Sequence, residues 1–192
     1  MKIYIVNGAP GSGKTTFEKY VSYISAPYCY NLSTVDFVKE VATYCGWNGE
    51  KELKDRKFLS ELKRVLTEWN DIPIKKIKKE LDGIKFTMSQ YYLPLDKCCV
   101  FIDCREPKEI ERLCNELNAK SLLIRRETAE NKETSNESDA NVLNYNYDII
   151  IDNNGTIRDL AFRAIDFVDE EGLNIKKDQV LQVDFFGTMR YI

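Results

Sequence analysis

One octapeptide governs what this chain can fold into: Gly8-Ala9-Pro10-Gly11-Ser12-Gly13-Lys14-Thr15, set directly behind the apolar run 2–7. That run, Lys2-Ile3-Tyr4-Ile5-Val6-Asn7, is short, β-branched and followed by turn-formers, so it reads as a buried strand. Glycines spaced this way let the main chain close around an anion with successive N–H groups facing inward. Beyond Lys14, the residues Phe17, Tyr20, Val21 and Ile24 recur at i, i+3, i+4 and i+7, the apolar stripe of a helix. Strand, glycine loop and helix thus come in the order that an anion-cradling loop requires.

The octapeptide matches the Walker A pattern, Gly-x-x-x-x-Gly-Lys-Ser/Thr, without a mismatch. The expected phosphate contacts are Gly8, Ala9, Pro10, Gly11, Ser12, Gly13, Lys14, Thr15 and Thr16. Lys14 reaches the β- and γ-phosphates as a point charge, and the Thr15 hydroxyl is placed to ligate Mg²⁺. ATP as co-substrate and Mg²⁺ as cofactor follow as expectations.

Downstream, helical and strand patterns alternate. Asn31-Leu32-Ser33-Thr34 offers helix N-caps ahead of an apolar stripe at Val35, Val38, Ala42 and Cys45. Residues 57–69 carry Phe58, Leu59, Leu62, Leu66 and Trp69, an amphipathic helix. A further helix over 73–81 bears Lys75, Lys76, Lys78 and Lys79 on its wetter sides, and Gly83 is expected to close it. The runs 97–103, 119–125 and 147–152 read as strands, and 107–118 and 156–168 as helices. Between them 127–139 is almost wholly polar and reads as a mobile loop. The tail either side of Gly187 fits an edge hairpin or a dimer contact, and the residues leave both open. The alternation predicts an α/β chain: a three-layer P-loop NTPase fold with a central parallel sheet, helices on both faces and a lid loop.

Composition narrows the function. With 192 residues, 43% hydrophobic and 31% charged, the profile is that of a soluble globular protein. A net charge of −3 argues against a general nucleic-acid binder, and Lys75–Lys79 reads as a solvated helix face. Six cysteines, none in a Cys-x-x-Cys pair, and no histidine argue against a zinc site and against any histidine-based acid–base mechanism. The cysteines are expected to be reduced and mostly buried as small hydrophobes. No secretory leader or membrane span is legible, so a cytoplasmic protein with no membrane partner is expected, as monomer or homodimer.

Three further stretches carry a family resemblance. Leu32-Ser33-Thr34-Val35-Asp36-Phe37-Val38-Lys39 resembles the Ser-Thr-x-Asp-x-x-Arg segment with which adenylate-kinase-like nucleoside monophosphate kinases begin their acceptor site. The family's arginine falls on Lys39, which keeps the charge and loses the bidentate geometry. Val100-Phe101-Ile102-Asp103-Cys104-Arg105 has the shape of a Walker B strand, whose Asp103 holds Mg²⁺. An Asp-x-Arg here is similar to phage deoxynucleotide kinases and animal-type phosphomevalonate kinases, whose arginine serves the acceptor. The same kinases resemble this chain at Ile124-Arg125-Arg126, at the return Ser138-Asp139, and at Asn153-Asn154-Gly155.

The resemblance implies a kinase-like domain over 1–170, with an acceptor-side helical region at about 33–90 and a lid at about 125–146, followed by an extension over 171–192. It implies Lys14, Asp103, Arg125 and Arg126 as catalytic groups, and Thr15 and Asp103 at the metal. Asp36, Lys39, Arg56 and Arg105 would meet the acceptor, while Asn153, Asn154 and Gly155 would lie beside the donor base. The activity implied is transfer of the γ-phosphoryl group of ATP to a small phosphorylated acceptor, a (deoxy)nucleoside monophosphate first. A P-loop ATPase or a regulatory nucleotide-binding module is the alternative.

Overall fold

The computed structural model describes residues 1–25, 28–50, 52–130, 142–173, 182–183 and 189–190. It divides into two compact units, one of Met1–Asn31 with Asp96–Ile192 and one of Leu32–Leu95. The Ser138-Asp139 return, half of the lid range (131–141) and most of the tail lie outside the described residues.

The first unit is built on a parallel sheet. Its strands are β1 (Lys2–Asn7), β2 (Cys29–Ser33, which begins in this unit), β3 (Cys99–Asp103), β4 (Lys120–Arg125) and β5 (Ile149–Asp152), in the order β2-β3-β1-β4-β5. Strand β1 is central and pairs in parallel with β3 (Tyr4 opposite Phe101) and with β4 (Val6 opposite Leu122), and β4 pairs in parallel with β5. Apolar residues on both faces of β1, β3 and β4 leave no polar side for water, which is why these strands read as continuous apolar runs.

One face carries Tyr4, Val6, Phe101, Leu122 and Ile124, packed with α1 (Lys14–Ile24) and with a long helix after β5. The opposite face meets α5 (Pro107–Leu117), whose Ile110 and Leu113 are fully buried. Sheet and helix layers on both sides form the three-layer α/β P-loop fold expected from the sequence. Tyr4, Phe17, Phe101 and Phe167 form an aromatic cluster, with edge-on centroids 5.0 Å apart for Tyr4–Phe167 and 5.4 Å for Phe17–Phe167. Each such pair adds about 0.5–1.5 kcal/mol beyond its area burial.

Several elements differ from the sequence reading. Asn31 to Thr34 does not cap a helix; Cys29–Ser33 is the strand β2, half-exposed at the edge of the sheet. Helix α2 (Asp36–Tyr44) follows, with Val38 and Ala42 buried and Cys45 exposed just past its end. The predicted polar loop opens instead with a helical turn, α6 (Glu127–Glu130), begun by the Arg126 carbonyl accepting from Ala129 and Glu130 N–H groups. The helix after β5 is α7 (Ile157–Glu170), started by a capping box in which Thr156 and Asp159 bond each other's backbone. A two-residue antiparallel pairing, β6 (Gln182–Val183) with β7 (Met189–Arg190), is present in the tail.

The second unit holds α2, α3 (Leu53–Asn70) and α4 (Ile72–Gln90). Helix α3 begins earlier than its apolar stripe suggested, because the Asp55 carboxylate accepts from Glu52 N–H at 3.1 Å. Gly83 does not close α4. The helix runs on to Gln90 because Ile74, Ile77, Leu81, Ile84 and Met88 form one buried stripe, and burying Ile84 and Met88 outweighs the roughly 1 kcal/mol penalty of an internal glycine. Within the lysine cluster Lys76 lies over the Phe37 ring at 4.3 Å, while Lys75, Lys78 and Lys79 are exposed. Among the described residues no helix is long and apolar enough to cross a membrane.

Candidate functional site

Because β1, β3, β4 and β5 run the same way, the segments leaving their C-terminal ends gather along one edge of the first unit. The loop after β1 is the glycine octapeptide. Gly8 passes so close to the Ile124 carbonyl and the Ser12 hydroxyl that a Cβ would collide with both. Gly13, at φ +100°, forms the N-cap of α1, and a Cβ there would strike the Asn153 amide. No side chain among the described residues caps this helix, in contrast to the capping box of α7. The first-turn N–H groups of α1 have no intrahelical acceptor, and with the helix dipole they make a site for negative charge. Lys14 folds back over the loop, donating from Nζ to the Gly8 carbonyl at 2.6 Å.

The loop is held from below by two asparagines. Asn153, just past β5 and 6% exposed, donates from Nδ2 to the Ser12 carbonyl at 2.8 Å. Asn7 ends β1 fully buried: its Oδ1 accepts from Gly8 N–H at 2.8 Å, and its Nδ2 donates to Tyr147 Oη at 2.8 Å and to the Arg105 carbonyl at 3.2 Å. Tyr147 in turn donates to the Val142 carbonyl at 2.8 Å, and burial pushes its phenol up to about 12. Neither Asn7 nor Tyr147 was singled out from sequence. Their partners lie up to 140 residues away, and only the polar Asn7 at the end of an apolar strand was a signal.

A pocket of about 480 Å³ opens from the loop, lined by Gly11, Gly13, Lys14, Thr16, Arg126, Asn153 and, at its apolar end, Ile157 and Leu160. The two tandem arginines diverge. Arg126 lines this pocket, whereas Arg125 is paired with Glu130 (3.3 Å) and Asp152 (3.6 Å). Of the three residues expected beside the donor base, Asn153 and Gly155 line the pocket, while Asn154 turns to α6, accepting from Glu127 N–H at 2.9 Å.

Asp103 ends β3 half-buried, with its Cys104 neighbour turned away to donate to Glu109 at 3.0 Å and its Arg105 neighbour exposed. Close to Asp103 lies a carboxylate the sequence reading overlooked. Glu18 is 4% exposed on α1, and its Oε1 has no hydrogen-bond partner among the described residues. Burial first, and then the Asp103 charge, push its carboxyl up to about 7 against the opposing pull of Lys14. Its signal was a charged residue one helical turn beyond Lys14, within the stripe of Phe17, Tyr20 and Val21. Thr15, Asp103 and Glu18 carry only hard oxygen donors, and a buried carboxylate oxygen left without a partner, within reach of the Asp103 charge, suits a divalent cation such as Mg²⁺.

The remaining candidates belong to the second unit. Asp36 opens α2, exposed, and pairs with the half-buried Lys39 at 3.2 Å, and Arg56 lies exposed in the first turns of α3.

Fold and loop together define a protein of the α/β P-loop class. No family model and no curated protein matches the chain. Solved structures similar to it include a cysteine-to-alanine variant of the APS kinase CysC of Mycobacterium tuberculosis, at 14% identity and a TM-score of 0.40 over 88% of this chain and 96% of that one. Another is TT1252 of Thermus thermophilus, at 16% identity and a TM-score of 0.43 over 88% and 97%.

Proposed function

We propose that the chain is an ATP- and Mg²⁺-dependent small-molecule kinase that transfers the γ-phosphoryl group to a (deoxy)nucleoside monophosphate. The observation that carries this reading is the uncapped N-terminus of α1, reached through glycines at φ +84° and +100° and opening on a pocket that ends against Ile157 and Leu160. Such a pocket offers a polar end for phosphates and an apolar end for a base.

Phosphoryl transfer asks a protein chiefly for positioning and charge neutralisation, which suits a chain with no histidine. The N–H groups of the loop and the first turn of α1 would hold the β- and γ-phosphates. Lys14, released from the Gly8 carbonyl, would reach the oxygens that gain charge in the transition state. Arg126, already lining the pocket, is better disposed to follow the donor than Arg125, whose guanidinium is engaged by Glu130 and Asp152. Thr15 and Asp103 would hold Mg²⁺, which supplies Lewis-acid neutralisation of the phosphate charge. Cations of this kind contribute on the order of 10³-fold in rate. For an acceptor phosphate the first unit offers Arg105, exposed just past the end of β3. An acceptor that is already a phosphate needs no strong general base.

The test is a screen of ribo- and deoxynucleoside monophosphates for stimulated release of ADP from Mg-ATP. At least one acceptor is expected to raise turnover well above the acceptor-free rate. Equal turnover with and without every acceptor would overturn the kinase reading in favour of an ATPase.

A further inference from the structure

Glu18 has no part in the function proposed so far, yet its position is hard to reconcile with a purely structural role. Helical spacing sets it four residues beyond Lys14, on the same side of α1, and Phe17, Tyr20 and Val21 around it are all buried. An aliphatic side chain at this point would complete the apolar stripe without electrostatic penalty. Instead the chain buries a carboxylate with one oxygen unpartnered, close enough to Asp103 for the two charges to repel. The countercharge at hand is Lys14, and the phosphates of a bound nucleotide would draw that ammonium toward themselves. A buried carboxylate pair that loses its share of a lysine needs another cation.

We propose that Glu18 is a third oxygen donor, beside Thr15 and Asp103, for the divalent cation that accompanies the nucleotide. It contributes directly or through one water, and the cation takes the place of Lys14 as the countercharge of the Glu18–Asp103 pair. This rests on the nucleotide-binding reading above. All three donors are oxygens, so the site would take a hard divalent ion, Mg²⁺ or its probe Mn²⁺, rather than a thiophilic metal. Cation binding should then be strongly cooperative with ADP or ATP, because the nucleotide both supplies phosphate ligands and withdraws Lys14.

The experiment uses the full chain with Mn²⁺ as probe, followed by electron paramagnetic resonance, and ADP binding followed calorimetrically with and without Mn²⁺. Glu18→Gln keeps the shape and removes the charge. It should weaken Mn²⁺ binding in the presence of ADP by about 10- to 100-fold, leave metal-free ADP affinity within twofold, and keep the native circular dichroism. Glu18→Asp, which restores the charge one methylene short, should recover part of the lost Mn²⁺ affinity; it carries the test if the glutamine variant does not fold. Unchanged Mn²⁺ affinity in a folded Glu18→Gln, or equal loss in Glu18→Gln and Glu18→Asp, would overturn the assignment and leave Glu18 a buried acid of the core. Failure of the wild-type chain to bind ADP at all would be distinct: it would sink the nucleotide reading, and this inference with it.

Discussion

Replacing Asn153 with alanine removes the 2.8 Å bond that fixes the Ser12 carbonyl beneath the phosphate loop. Ser12 is 1% exposed, so little water can take over the abandoned acceptor. Leaving a buried carbonyl unmatched costs about 1–3 kcal/mol. For a chain of this length that lowers Tm by roughly 2–12 °C, at about 2–4 °C per kcal/mol. Gly13→Ala is costly for two reasons: φ is +100°, which costs an alanine roughly 1–3 kcal/mol, and its Cβ would collide with the same Asn153 amide. In the Asn153→Ala background that collision disappears and only the dihedral strain remains. Thermal and urea denaturation of the nucleotide-free wild type, both single variants and the double variant would close the cycle. The double variant should be less damaged than the sum of the singles, by about 0.5–3 kcal/mol as for groups in contact. Additivity within about 0.5 kcal/mol, or an Asn153→Ala protein as stable as wild type, would refute the account of how the loop is supported.

Other outcomes follow from the same structure. Lys14→Ala should abolish acceptor-dependent ADP release while the circular dichroism stays native, and normal turnover would remove Lys14 from the mechanism. Arg126→Ala should raise the Kd for Mg-ATP on the order of tenfold, measured calorimetrically, whereas the paired Arg125 should matter less for binding. Gly83→Ala should stabilise the chain by about 0.5–1 kcal/mol, because Gly83 sits exposed in mid-helix with ordinary φ and open space around it; a fall in Tm would restore it as a helix end. The Glu171 carboxyl is held below its ordinary value of 4.5: burial opposes this, but hydrogen bonds from Lys120 (2.8 Å) and Tyr4 (2.8 Å) and the charges of Lys120 and Lys2 outweigh it. Its contribution is therefore present above pH 4.5 and lost as pH falls through the lower folded value. Glu171→Gln should flatten the decline in stability across that acid range, and an unchanged pH profile of Tm would count against it.

The sheet was legible wherever burial on both faces wrote an unbroken apolar run, as in Ile3 to Val6 and Val100 to Ile102. It was illegible at β2, whose half-exposed edge position leaves Cys29 to Ser33 without alternation or an apolar run. Gly83 misled because local propensity is small beside the burial of the residues that follow it. For the candidate site, the octapeptide carried its own geometry. The supports did not: the bonds of Asn153 to Ser12 and of Asn7 to Tyr147 span 141 and 140 residues, and nothing local announces them. Glu18 was readable in principle as a charge out of place on an apolar stripe. Its meaning needed the end of β3 brought alongside.

The Asn7 amide has one acceptor and two donor hydrogens in a rigid plane, and the three partners Gly8, Tyr147 and Arg105 employ all of them. A half-turn of that amide would set like poles against each other at Gly8 and Arg105 together, and Tyr147 could follow it only by giving up the Val142 carbonyl. The base of the phosphate loop therefore behaves as a latch with a single engaged setting. The segment after β3 and the approach to β5 are clamped in the same stroke as the loop, so the three can be expected to loosen together rather than one by one.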